Sequence, residues 1–230
     1  MKADATVVTR ADLEINALLK KKLLRLLPQA GWLSEEEADA PVRLQREFVW
    51  IVDPLDGTKE FARGIPETSV SVGLARAGCP VLGVVVNPIR NEGGAASIWE
   101  APRFWGLAPR PACDFLEKMA VCVSRTEHEA GQAEAFARRL TGLAPIGSVA
   151  YKLLRVAAGA EHLYFSVEPK SEWDICGGVA LVEAAGKRYK RFDGHPNTFN
   201  APHPRILCGA VAGSEPAVGM FLSEFAGDIS

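Results

Sequence analysis

The chain has 230 residues, 48% of them hydrophobic and 23% charged, with a formal net charge of −2. That balance is ordinary for a globular protein of one unit or two closely packed lobes, and it gives no reason to expect nucleic acid or an anionic membrane as partner. No apolar run approaches the ~20 residues that a bilayer span needs, and the polar start Met1-Lys2-Ala3-Asp4 shows no signal peptide.

Residues 10–27 are predicted helical, with Leu13, Ala17, Leu18, Leu24 and Leu27 near one stripe. The apolar run Phe48-Val49-Trp50-Ile51-Val52 predicts a buried strand over 47–53 that ends at Asp53. Residues 69–74 and 81–86 read as a hairpin about Ala77-Gly78-Cys79-Pro80, and short strands follow at 96–100 and 104–108. Ala108-Pro109-Arg110-Pro111 reads as a linker. Beyond it, 119–124 is predicted as strand, 128–140 and 149–158 as helices, and 162–166 as strand. Residues 174–185 follow as a helix capped by Gly186, then a strand at 206–211 and a closing helix at 216–225. Strands and helices in both halves predict a layered α/β or α+β architecture. The boundary near 109–118 divides it into an N-terminal lobe over 1–110 and a C-terminal lobe over 111–230.

The most informative stretch is Asp53-Pro54-Leu55-Asp56-Gly57-Thr58-Lys59-Glu60-Phe61. Two carboxylates three residues apart sit where a buried strand opens into a turn, the place where α/β proteins bind ligands. Paired carboxylates suit Mg²⁺, a hard ion that binds oxygen and shares itself with substrate phosphate. A turn alone needs neither two carboxylates nor a Thr after the Gly. Two further acidic sites stand apart in sequence: Ser34-Glu35-Glu36-Glu37, and Asp174 within Glu172-Trp173-Asp174-Ile175. Each has a plain alternative, a solvated loop for the acidic run and a helix N-cap for Asp174. Asp12, in Thr9-Arg10-Ala11-Asp12, is fully explained as part of a capping box unless a partner elsewhere engages it. Five scattered cysteines, none in a Cys-x-x-Cys pair, indicate neither a disulfide framework nor a zinc site and fit a reducing cytoplasm.

The Asp53–Phe61 segment, with Trp173-Asp174 and the following Glu183-Ala184-Ala185-Gly186, resembles the two signatures of the lithium-sensitive, Mg²⁺-dependent inositol monophosphatase superfamily. The nine residues from Asp53 are most similar to the CysQ-like branch, the 3′(2′),5′-bisphosphate nucleotidases. Residues 2–12 and 31–37 resemble the segments that precede the metal site and carry its glutamate. The resemblance implies an alternating α-β-α-β-α sandwich. It also implies metal ligation by Glu35, Asp53, the Leu55 carbonyl, Asp56 and Asp174, with Glu36 competing for the glutamate position. Asp12 and Thr58 match the pair that orients the attacking water, with Glu35 beside them. Two or three Mg²⁺ ions are implied, with Li⁺ inhibitory. Family members carry a helix before the position matching Lys2, so this chain is expected to lack it, as a truncated or naturally shortened member with apolar surface laid open.

The implied activity is phosphomonoester hydrolysis by activated water, with 3′-phosphoadenosine 5′-phosphate as the first substrate reading and an inositol monophosphate as the alternative. A different class, a phosphate-binding or interaction protein without turnover, is disfavoured by the complete carboxylate set. On the substrate side, Gly57 and Thr58 would hold the phosphate by their amides. Gly147-Ser148-Val149-Ala150-Tyr151-Lys152 resembles the segment that contacts the leaving group, and its spacing to Gly159 resembles inositol monophosphatases. Lys152 reads equally as a partner of a second phosphate or as a solvated helix lysine. Lys170 reads as an anion-binding residue at the site's border or as a loop charge. The family favours a homodimer.

Overall fold

The structure, a computed structural model, describes residues 9–229; the matched stretch 2–8 lies outside the described residues. Thr9 opens helix α1 (Arg10–Leu26) with a capping box: its hydroxyl receives the Asp12 amide, and the Asp12 carboxylate receives the Thr9 amide. Strand β1 (Gly31–Ser34), a 3₁₀ turn over Pro41–Gln45, strand β2 (Phe48–Asp56) and the short helix α2 (Thr58–Ala62) follow. Four strands then run in a meander: β3 (Ser69–Arg76), β4 (Cys79–Asn87), β5 (Glu92–Ser97) and β6 (Glu100–Trp105). Together β1 to β6 form one sheet in sequence order, with β1 parallel to β2 and the other neighbours antiparallel.

The second half runs β7 (Ala120–Ser124), α3 (Arg125–Glu129), α4 (Glu134–Ala137), β8 (Gly142–Ile146), α5 (Val149–Ala157) and β9 (Leu163–Ser166). It continues with β10 (Lys170–Ser171), α6 (Glu172–Ala184), β11 (Arg188–Arg191), β12 (Arg205–Ile206), β13 (Ala210–Gly213) and α7 (Glu215–Glu224). Five of these strands form a second sheet in the order β11-β13-β9-β7-β8, and β10 pairs with β12 apart from it.

Three apolar clusters stack the layers. Leu19, Leu23 and Leu24 of α1, with Leu27, cover one face of the first sheet at Trp50, Val52, Val72 and Leu74. The other face, at Val49, Ile51 and Val85, meets α5 and α6, which also cover Tyr164 and Ala212 of the second sheet. The far face of the second sheet packs under α4 and α7 through Phe136, Phe165, Phe221 and Phe225. The order is thus α-β-α-β-α, as the resemblance implies. No helix among the described residues is long and apolar enough to cross a membrane.

Helix α6 reaches the first sheet more closely than ordinary side chains permit. A Cβ on Gly73 would lie 2.4 Å from Cys176 Sγ, and one on Gly83 would lie 2.2 Å from the Gly177 carbonyl. Glycine in β3 and β4 opposite small residues in α6 brings backbone against backbone. That contact carries the start of α6 toward the end of β2.

The structure corrects several local expectations. Of the predicted α1 stripe, Leu13 and Leu18 are 52% and 53% exposed, while Asp12 and Asn16 are buried. Hydrogen bonds from Asn16 Nδ2 to Glu37 and from Ser34 Oγ to Asn16 Oδ1, both 2.7 Å, turn the polar face inward. The helix expected over 128–140 is two short helices, broken where Gly131 takes a φ of 76°. The strand expected at 96–100 lies earlier, because Ile98 and Trp99 form the exposed β5–β6 turn. The strand expected at 206–211 divides into β12 and β13. Strands β1, β8 and β11, absent from the sequence reading, are four or five residues each and carry weak patterns.

Candidate active site

Strand β2 is buried almost throughout, and its pairing with β3 shifts register between Asp53 and Asp56. Pro54 has no N–H to offer a ladder, so the chain bulges and re-aims its side chains there. Asp53 Oδ1 accepts the Leu55 amide at 3.0 Å. Gly57 then turns the chain with a φ of 91°, where a Cβ would meet the Glu67 carbonyl at 2.9 Å. Thr58 opens α2 with its hydroxyl oxygen 3.0 Å from the Leu55 carbonyl and 3.1 Å from Asp12 Oδ1. Asp12 therefore has the distant partner that its capping role does not account for.

Asp56 is anchored from the second half of the chain. Its Oδ2 accepts the Ser148 hydroxyl at 2.8 Å and the Ala150 amide at 2.6 Å, at the start of α5. Ser148 holds a φ of 55°, rare for a residue with a side chain, and its hydroxyl also meets Ser69 Oγ at 2.9 Å. Asp174 sits in the first turn of α6, where its Oδ2 accepts the Ser171 amide at 2.8 Å. Glu35 follows β1 on a loop. Glu35, Asp53, Asp56 and Asp174 all border one cavity of about 220 Å³, with Leu55, Gly57 and Thr58.

The charges there are crowded. Burial, then repulsion from Asp56, Glu35 and Asp174, raises the Asp53 carboxyl well above the ordinary range. Burial pushes Asp174 up to about 7, with Asp56 and Glu35 adding to it. Burial also raises Asp56, against the pull of Lys152 and the two hydrogen bonds from α5. Burial lowers Lys152, and Asp56 opposes that. An all-oxygen donor set with surplus buried negative charge matches what a hard divalent cation offsets. As placed, no three His, Cys, Asp or Glu side chains among the described residues form a ready metal-holding group. The fit therefore lies in donor chemistry, charge and a shared cavity.

The remaining expected residues fall as follows. Of the three consecutive glutamates, Glu35 borders the cavity, whereas the Glu37 carboxylate is taken by Asn16 and Lys20 of α1. Gly147 lines the cavity, and its amide donates to Glu67 at 2.8 Å. Ser148 lines it too, but its hydroxyl is occupied by Asp56. Lys152 lines the cavity as well but is not solvated: it is 1% exposed, and its ammonium donates to the Ile146 carbonyl at 2.9 Å. Lys170 does not line the cavity, because its ammonium is bound by the buried Glu127 at 2.9 Å. Sequence reasoning missed Glu60, Arg125 and Thr126, which do line it. Arg125 follows directly on β7, and the strand-end rule used for Asp53 could have found it.

Comparison with known proteins places these observations in a family. A sequence model of the inositol monophosphatase family matches residues 2–220. The chain is 33% identical over 202 residues to the 3′(2′),5′-bisphosphate nucleotidase CysQ of Escherichia coli (strain K12), covering 85% of this chain and 80% of that protein. It is 31% identical over 194 residues to inositol monophosphatase 2 of Solanum lycopersicum, covering 78% and 72%. Among solved structures, the extragenic suppressor protein suhB of Bartonella henselae aligns with a TM-score of 0.81 at 27% identity, over 97% of this chain and 86% of that one.

Proposed function

The chain belongs to the inositol monophosphatase family, whose members hydrolyse phosphate monoesters, and we propose that it uses Mg²⁺ and an activated water on a small, doubly anionic phosphate ester. The observation that carries this reading is the meeting of Glu35, Asp53, Asp56, Asp174 and the Asp12–Thr58 pair at one cavity. Glu35, Asp53, the Leu55 carbonyl, Asp56 and Asp174 would hold two or three ions. Bound Mg²⁺ supplies neutralisation of the phosphate charge, a lowered pKa for water and support of the leaving oxygen.

The protein's own groups do the rest. Asp12 takes the Thr58 hydroxyl proton as a hydrogen bond, which leaves the threonine oxygen as an acceptor for the attacking water. The Gly57 and Thr58 amides donate to phosphate oxygens at the start of α2. Little covalent chemistry is asked of the protein, since positioning and charge govern phosphoryl transfer.

For the substrate, the reading is 3′-phosphoadenosine 5′-phosphate. A second phosphate needs a cation at the cavity, and Arg125 serves better than Lys152. Its guanidinium is 23% exposed and pre-set by Glu67 at 2.6 Å and the Pro145 carbonyl at 3.1 Å. An inositol monophosphate is the second reading, favoured by the spacing of Gly147 to Gly159 along α5. The five free cysteines fit a reducing cytoplasm, and a homodimer is the assembly the family resemblance favours.

The test is phosphate release from 3′-phosphoadenosine 5′-phosphate, inositol 1-phosphate and fructose 1,6-bisphosphate, with Mg²⁺, with EDTA and with added Li⁺. Release that needs Mg²⁺ and falls with Li⁺ is expected, fastest on the bisphosphate nucleotide. No release from folded, metal-binding protein would overturn the enzymatic reading in favour of a binding role.

A further inference from the structure

Arg43 is among the largest fully buried side chains, 1% exposed, and nothing in the proposed chemistry uses it. Its Nε and Nη2 grip the Asp39 carboxylate at 2.6 and 2.8 Å. Its Nη1 donates to Asn200 Oδ1 at 2.6 Å, and Nη2 also donates to the Ala201 carbonyl at 2.9 Å. The Asn200 and Ala201 amides donate in turn to the two oxygens of Glu172, at 2.6 and 2.8 Å. Glu172 is also 1% exposed. The network thus begins four residues after Glu35 and ends two residues before Asp174.

We infer that this Asp39–Arg43–Asn200–Glu172 network is a clamp that fixes Glu35 relative to Asp174, and that Arg43 and Glu172 are positioning residues for the cation site. The inference rests on the metal reading above. Asp53 and Asp56 are held by the β2 ladder, and Asp174 by the first turn of α6. Glu35 directly follows β1, its amide 3.4 Å from the Val52 carbonyl of β2, and opens the loop that runs to Pro41. The network anchors the far end of that loop, at Asp39, to the start of α6, and partners that fix the backbone beneath a ligand commonly govern metal affinity. The Arg43–Asp39 pair adds little net stability, because the Asp39 carboxylate is 37% exposed to solvent. What a bidentate Arg–carboxylate pair adds is direction. The Asn200 backbone points the same way. Its φ of 64° is unusual for a residue with a side chain, and its amide and side chain serve Glu172 and Arg43 at once.

The test uses the full chain and Mn²⁺ as probe, with binding read from the loss of the free-ion paramagnetic resonance signal and melting temperature measured alongside. Glu172→Gln keeps the shape but removes one of the two accepted bonds, because an amide NH₂ cannot accept from a backbone N–H. Asn200→Gly keeps the left-handed backbone comfortable and removes only the side chain. Each is expected to weaken Mn²⁺ binding about ten- to a hundredfold, with most of kcat returning at saturating metal. Arg155→Lys, which disturbs the Arg155–Glu161 pair at 2.7 Å outside the cavity lining, is expected to lower the melting temperature without moving Mn²⁺ affinity. Wild-type binding with unchanged affinity in both clamp variants would overturn the inference and leave the metal reading standing. Absence of Mn²⁺ binding by the wild type would overturn both.

Discussion

Thr58 has one hydroxyl proton and two acceptors within reach, the Leu55 carbonyl at 3.0 Å and Asp12 Oδ1 at 3.1 Å. Whichever acceptor takes the proton, the oxygen lone pairs remain available to a water at the cavity. Thr58→Ala should lower kcat about 10²-fold or more, the scale of a lost proton-handling group, with a smaller change in metal affinity. Thr58→Ser keeps the oxygen and should recover most of that rate, and equal losses in both variants would remove the hydroxyl from the mechanism. Among the carboxylates, Asp174 offers a cleaner test than Asp56. Replacing Asp56 would strand the buried Lys152 ammonium that faces it. Asp174→Asn retains an oxygen for the Ser171 amide and relieves repulsion from Asp56 and Glu35. The metal-free variant should therefore melt within a few degrees of wild type yet no longer gain stability from Mg²⁺, as thermal scans with and without the ion would read.

At the scale of elements, the site depends on how closely α6 lies on the first sheet. Gly83→Ala would drive a methyl to 2.2 Å from the Gly177 carbonyl, a backbone atom with little room to yield. A cost of about 1–3 kcal/mol follows from overpacking, or roughly 2–4 °C of melting temperature per kcal/mol for a chain of this size. Gly219 lies exposed inside α7, with open space where its Cβ would stand. Gly219→Ala should instead stabilise by up to about 1 kcal/mol, because alanine outranks glycine in a helix interior. Calorimetric melts of the two variants should move in opposite directions. Helix α1 shows why its buried face was not legible: periodicity counted the leucines, but Asp12 and Asn16 had distant hydrogen-bond partners that no local pattern records.

For the whole molecule, the crowded carboxylates tie stability to pH and to metal. The folded-state pKa values of Asp53, Asp56 and Asp174 lie above their unfolded values, with Asp174 near 7. Between about pH 4 and 7 the folded chain then binds more protons at these groups than the unfolded chain, so their contribution to stability falls as pH rises. Metal-free protein should melt lower at pH 8 than at pH 5.5 from this source. Mg²⁺ binds the folded state and should restore the loss, by about 2.7 kcal/mol at a hundredfold excess over Kd. Melts at both pH values, with EDTA or Mg²⁺, would read this directly. A metal-free protein no less stable at pH 8 would show that the carboxylates are not crowded as described.

The sequence by itself determined the chemistry: which oxygen donors exist, that Asp53 and Asp56 stand three residues apart where an apolar strand opens into a turn, and that the chain carries the signatures of the inositol monophosphatase family. Those facts are local, because the apolar run, both carboxylates and the glycine of the turn are written within the ten residues from Phe48 to Gly57, whereas the bulge at Pro54 showed only in the pairing of β2 with β3. The layered α-β-α-β-α order was legible through the resemblance to that family. Only the tertiary structure decided which of three glutamates faces the cavity, that Lys152 stands buried at its wall beside Arg125, and that Lys170 is bound by Glu127 instead. It also decided that Arg43 joins residues more than 150 positions away. A side chain's identity is set by its own codon, but its direction is set by partners that folding brings from elsewhere, through burial and hydrogen bonds that sequence spacing does not record.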